Sequence, residues 1–76
     1  MANILVILGR NVRYWRYKRR YSQEALAHIT NCHVRTIVDI ESGKRNISLD
    51  LLGRLCAALD VSPTQLLSFP KKSKPA

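Results

Sequence analysis

Acidic residues are scarce in this sequence: five Asp and Glu stand against thirteen Lys and Arg, a formal net charge of +8. A chain so biased attracts polyanions, which makes nucleic acid or an anionic membrane surface the leading class of partner. Cysteine is scarce as well. Cys32 and Cys56 allow at most one bridge, and a disulfide-dependent domain of this size carries more, so both are read as small buried hydrophobes. The histidines are also few, His28 and His33, five positions apart and off any common helical face. With no CxxC pair beside them, the four closely spaced ligands of a zinc site are missing, and neither metal nor cofactor is expected. Long apolar runs are missing too. The longest, from Ile4 to Leu8, falls far short of the ~20 residues a bilayer span needs, and no charge precedes it as a secretory signal requires. The expectation is a soluble, cytoplasmic protein without a membrane partner. Finally, 76 residues leave no room for a second domain around a buried catalytic centre. The chain also lacks a nucleophile–base order, a carboxylate pair in an apolar setting and a Gly-rich phosphate loop, so an enzyme is not expected.

What the sequence does have is 46% hydrophobic residues, enough for one small core, arranged with helical periodicity. Leu5, Leu8, Val12 and Trp15 recur at three- and four-residue steps and form one stripe of a first helix. The other side of that helix carries Arg10, Arg13, Tyr14 and Tyr17, either a solvated basic face or a phosphate-contacting one, and Lys18, Arg19 and Arg20 favour its negative C-terminal pole. Ser22 caps a short second helix with Glu24 in its first turn and Leu26 and Ile29 facing inward. Thr30, Asn31 and Cys32 interrupt it, and Asn31 tolerates the left-handed turn conformation. A third helix runs from Val34 to about Glu41, with Ile37 and Ile40 on one face, Arg35, Val38, Asp39 and Ser42 on the other, and Gly43 as its stop. Ser48 caps a fourth helix that buries Leu52, Leu55, Cys56 and Leu59. Ser62 and Pro63 start a fifth that reaches about Phe69. Residues 1–69 therefore read as one all-α domain of five helices, followed by a disordered basic tail over 70–76.

Two short helices joined by a three- to four-residue turn, in a basic all-helical domain, describe a helix-turn-helix whose second helix enters the DNA major groove. On periodicity and charge alone a basic helical interaction module fits as well. The stretch Ser22-Gln23-Glu24-Ala25-Leu26-Ala27 and the run from Ile40 to Asn46, IESGKRN, add a resemblance. With Leu8-Gly9, Val12-Arg13, Arg16, Ile37, Ser48-Leu49 and the Ala58 to Ser62 segment, they look like the Cro and phage-repressor type of helix-turn-helix, the Xre family. The small size and the GKRNIS run are similar to the controller proteins of restriction-modification systems, and antitoxins and phage regulators share these features.

The resemblance implies a compact five-helix, phage-repressor-like domain that regulates transcription as a homodimer on a pseudo-palindromic double-stranded operator. It places base reading on His33, Val34, Arg35, Val38 and Asp39. Backbone contacts fall on Gln23, Ser42, Lys44, Arg45 and Asn46. Arg16 and Glu41 resemble a structural pair that bridges the first helix to the end of the third. Arg20 and Asn31 stand where the family usually has Gly, and Leu51 where it is usually polar. Leu51, with Leu49, therefore joins Leu66 and Phe69 of the fifth helix as the expected dimer contact. The competing reading is an antitoxin or other interaction module that neutralises a partner enzyme, with a toxin or RNA polymerase as further partners.

Overall fold

The computed structural model describes residues 3–69, a compact globule of five helices with no strand among them. They are α1 (Ile4–Lys18), α2 (Gln23–Thr30), α3 (Val34–Glu41), α4 (Leu49–Leu59) and α5 (Pro63–Leu67). The expected basic tail lies outside the described residues. No helix among the described residues is long and apolar enough to cross a membrane.

Four of the five helices start where a side chain can take an orphan amide. Asn3, Ser22, Ser48 and Ser62 accept from Leu5, Ala25, Leu51 and Gln65 respectively, and Gln65 returns a bond to the Ser62 amide in a capping box. Three helices are followed by a non-glycine residue in the left-handed region: Arg20 (φ 62°), Asn31 (φ 57°) and Asp60 (φ 58°). A left-handed residue lets the next amide turn back onto the helix, as Cys32 N–H does to Ala27 O at 3.0 Å and Val61 N–H to Cys56 O at 3.0 Å. Arg20 tolerates this conformation less well than Gly or Asn would.

The carbonyl ends of α2, α4 and α5 are held by side chains from distant parts of the chain. Asn11 donates from Nδ2 to the carbonyls of Leu66 and Ser68, both at 2.8 Å. Arg19 donates to Leu59 O at 2.7 Å and Asp60 O at 3.3 Å, while its guanidinium lies 5.1 Å from the centre of the Trp15 ring. Arg54 donates to Thr30 O at 2.8 Å and Asn31 O at 3.4 Å. Arg19, expected to serve the pole of its own helix, thus serves that of α4.

The core gathers Leu8 and Val12 of α1, Leu26 and Ala27 of α2, Ile37 and Ile40 of α3, Leu52, Leu55, Cys56 and Leu59 of α4, and Leu66 of α5. Three expectations are corrected here. Ile29 is not an inward residue but 48% exposed. At 100° per residue, Ala27 and Thr30 fall to one side of Leu26 and Ile29 to the other, and the core lies on the former side. Buried Thr30 meets its hydrogen-bonding need locally, donating to Leu26 O at 2.7 Å. Leu66 is not at a dimer surface: it is fully buried, because α5 lies against α1 and this residue is its single buried anchor. The fifth helix also ends at Leu67, before Phe69. Asn11 takes carbonyls that a further turn would have used, and Pro70, next in sequence, brings no amide and disfavours a helical residue before it.

α1 and α3 meet at Gly9. A Cβ built there would collide with the Ile40 carbonyl oxygen and lie 2.9 Å from that of Glu41. Both obstacles are backbone, so nothing can rotate away. Gly9→Ala should therefore cost about 2 kcal/mol or more by forced separation of the two helices. The check is urea denaturation, where the midpoint should fall without a change in slope.

Candidate nucleic-acid interface

Three residues, 31–33, separate α2 from α3. Left-handed Asn31 reverses the chain, and extended His33 (φ −76°, ψ 149°) then opens α3 through its carbonyl while its imidazole makes no capping bond. Arg54 clamps the turn from behind. The same side chain that caps α2 is steadied on its own helix by Asp50, with Nε at 3.0 Å and Nη2 at 2.5 Å from Oδ2.

α3 has a sharply two-sided character. Thr36, Ile37, Ile40 and Glu41 are buried. His33, Val34, Arg35 and Ser42 are exposed, Val38 and Asp39 are half-buried beside them, and the Arg35 side chain is 79% exposed. Val34, Arg35, Val38 and Asp39, four of the five residues expected to read bases, therefore share one outward face of α3, and His33 is exposed at its N-cap. The loop after α3 winds back on the helix: the amides of Ser42, Gly43 and Lys44 donate to the carbonyls of Val38, Ile40 and Asp39. Gly43 permits this with φ 77°, close against Val6. Lys44, Arg45 and Asn46 project from the loop and are exposed. The Ser42 hydroxyl is turned inward and donates to Asp39 O at 3.0 Å.

Asp39 sits between two cations. Its Oδ1 lies 3.7 Å from Arg35 Nε and its Oδ2 3.8 Å from Arg45 Nη1. Both separations exceed hydrogen-bond length, so the carboxylate orients the two guanidiniums electrostatically and leaves their donors available. The Arg35 partner is legible from i,i+4 spacing. The Arg45 partner is not, because it depends on the path of the loop.

The other carboxylate of α3, Glu41, is almost wholly buried and collects three partners from two helices, α1 and α2. Arg16 approaches it bidentately, Nε to Oε2 at 2.6 Å and Nη2 to Oε1 at 3.0 Å. Gln23 Nε2 donates to Oε1 at 3.1 Å, and Arg13 Nε stands 3.7 Å from that oxygen. Arg16 also donates to Tyr21 O at 3.0 Å, fixing the turn between α1 and α2. Hydrogen bonding to Glu41 raises the Arg16 pKa above its ordinary value despite desolvation. Sequence reasoning paired Arg16 with Glu41 but missed Gln23 and Arg13. Neither lies at a helical spacing from Glu41, so only the folded chain brings them together.

Neither cysteine enters this surface: both are free, and burial raises the Cys56 thiol pKa. Among the described residues no cluster of His, Cys, Asp or Glu has the makings of a metal site.

A short helix pair with a left-handed turn, an outward second helix and a basic loop is matched along residues 12–66 by the family model HTH_3, described as helix-turn-helix. The chain belongs to this family. HTH_3 members are DNA-binding transcription regulators of the Xre type, not enzymes. Among its relatives is the control protein C.BamHI of Bacillus amyloliquefaciens, 44% identical over 68 residues, which cover 88% of this chain and 84% of that protein. The control protein C.SmaI of Serratia marcescens is 39% identical over 66 residues, 87% of this chain and 79% of its own length. The crystal structure of the restriction-modification controller protein C.AhdI from Aeromonas hydrophila superposes with a TM-score of 0.78 at 35% identity, covering 82% of this chain and 94% of that one.

In this HTH_3 chain Glu41→Gln keeps the shape of the side chain but leaves the Arg16 guanidinium buried without its counter-charge. The expected loss is about 3–5 kcal/mol of stability. Thermal unfolding compared with wild type checks it, and a loss under about 1 kcal/mol, the range of an exposed pair, would reassign the pair to the surface class.

Proposed function

We propose that the protein is a controller-type transcription regulator that binds a pseudo-palindromic operator as a homodimer and reads it with the outer face of α3. The observation that carries this is the placement of Arg35: at the start of α3, facing outward, beside the Asp39 carboxylate, whose other oxygen faces Arg45 of the 44–46 loop. An arginine in that position can make the bidentate contact to guanine O6 and N7 in the major groove. Val34 and Val38 offer methyl groups to thymine, and the uncapped His33 imidazole is available to a base edge or a phosphate. Lys44, Arg45 and Asn46 would fix register on the phosphates, as would Gln23 at the start of α2. Ser42 would contribute only after its hydroxyl rotates away from Asp39 O. Relatives bearing the names of control proteins support the regulatory context.

A single module of this size covers little DNA, and two copies on half-sites about one helical turn, roughly 34 Å, apart would supply the missing contact area. Exposed apolar residues are available for association. Leu49 is 84% exposed and Phe69 66% exposed, with Leu51 partly exposed nearby in α4.

Arg35→Ala should weaken operator binding by about 1–3 kcal/mol and relax preference at one base pair in each half-site, with the fold intact. Competition binding across single-base operator variants at fixed salt measures this. An equal loss on every variant would make Arg35 a phosphate contact instead. Leu49→Glu should shift the protein from dimer to monomer in sedimentation equilibrium while leaving its helical content unchanged, and should remove the concentration dependence of the melting temperature. A wild-type protein that stays monomeric when bound to DNA would refute the dimer.

A further inference from the structure

The outward face of α1 is strongly basic, and one of its cations differs from the rest in its surroundings. Arg10 lines a cleft between α1 and α5 with Trp15 and Phe69. Arg13, one turn further on, meets the same Glu41 oxygen as Gln23, so the two head groups lie no more than about 7 Å apart. Gln23 opens α2, whose positive pole faces the same neighbourhood. Arg13 is 55% exposed along its side chain. Its 3.7 Å separation from Glu41 exceeds a hydrogen bond.

Glu41 is already satisfied by two bonds from Arg16 and one from Gln23. Arg13 therefore adds little to the ion pair and can leave it at little expense, while the carboxylate keeps its guanidinium on the α2 side of α1. Gln23 spends one amide N–H on Glu41 and retains the other. The result is a cation and a neutral donor beside a helix N-terminus, all aimed by one buried carboxylate. The spacing suits an anion the size of a phosphate diester, which presents two acceptor oxygens and accepts readily from a guanidinium.

We infer that Arg13 is a DNA-backbone contact, engaging the same phosphate as Gln23 and extending the footprint from the helix-turn-helix onto the first helix. The inference rests on the DNA-binding reading above and adds a residue to it. Glu41 acts in it as a positioning residue, holding both donors in register from beneath.

The test uses the full chain and a duplex that the wild-type protein itself selects from a random-sequence pool, with an unrelated duplex of equal length beside it. Arg13→Ala and Arg10→Ala each remove one positive charge from the exposed face of α1, so diffuse electrostatics changes alike in both. Binding is measured as a function of salt. Arg13→Ala should lower the steepness of the log–log salt dependence by about 0.9 for each subunit bound, on both duplexes. Between roughly 50 and 200 mM salt, this shrinks the fall in affinity about 3.5-fold per subunit. Arg10→Ala should leave the steepness at the wild-type value. Thermal melting of both variants should match wild type, which separates a lost contact from a damaged fold. Arg13→Lys should restore much of the slope, since the charge is retained, but not the full affinity, since the planar fork is lost. Equal slopes for Arg13→Ala and wild type, or equal reductions for Arg13→Ala and Arg10→Ala, would overturn the inference. Failure of the wild type to select any duplex would instead overturn the proposed function.

Discussion

The buried pair of Arg16 and Glu41 is the constraint on which the arrangement of this molecule turns. It ties the last turn of α1 to the last residue of α3, and Nη1 of Arg16 also holds the carbonyl of Tyr21 in the turn before α2. Burying two charges in so small a core is favourable only with nearly complete hydrogen bonding, and the bidentate geometry with the Gln23 amide comes close to that. The pair therefore does more than join two helices. It fixes the distance between the start of α2 and the end of α3, which is the dimension a helix-turn-helix must present to the DNA backbone.

A second device answers the problem of size. A chain this short has little apolar area to bury, and its helices end soon after they begin, so unsatisfied terminal carbonyls form a large share of its backbone. Asn11, Arg19 and Arg54 each reach across to cap the C-terminus of another helix. Polar side chains thus act as tertiary connectors where a larger domain would add hydrophobic layers. The cost falls on charge: the guanidiniums of Arg16, Arg19 and Arg54 are turned to internal acceptors, so the formal +8 overstates the cations presented to a polyanion.

The five helices, the serine caps of α2, α4 and α5 and the outward set of α3 were legible in the sequence because they depend on local causes: serine before a helix, glycine or asparagine after it, and apolar residues at helical spacing; the Asn3 cap of α1 and the left-handed Asp60 were not. The left-handed Arg20 was legible only through the family resemblance, which puts a glycine there. Leu66 shows where local reasoning stops. On a helix of little more than one turn, periodicity cannot say whether a lone leucine points to the core or to a partner. Packing of α5 on α1 decides, through an Asn11 side chain 55 positions away. The same applies to Arg13 and Gln23, whose convergence on Glu41 has no signature in spacing, and to Arg45 beside Asp39.

Gly9 carries a further consequence. Where it touches α3, backbone rests on backbone, with no side chain between that could flex or change rotamer to absorb a shift. This contact of α3 involves none of the residues on its outer face. Exchange of the exposed Arg35 or Val34 leaves that bearing untouched. Under the DNA-binding reading proposed above, a lineage built on this bearing can wander through target sequences while the docking pose stays put, and an engineer can treat that face as an interchangeable cassette in a fixed mount.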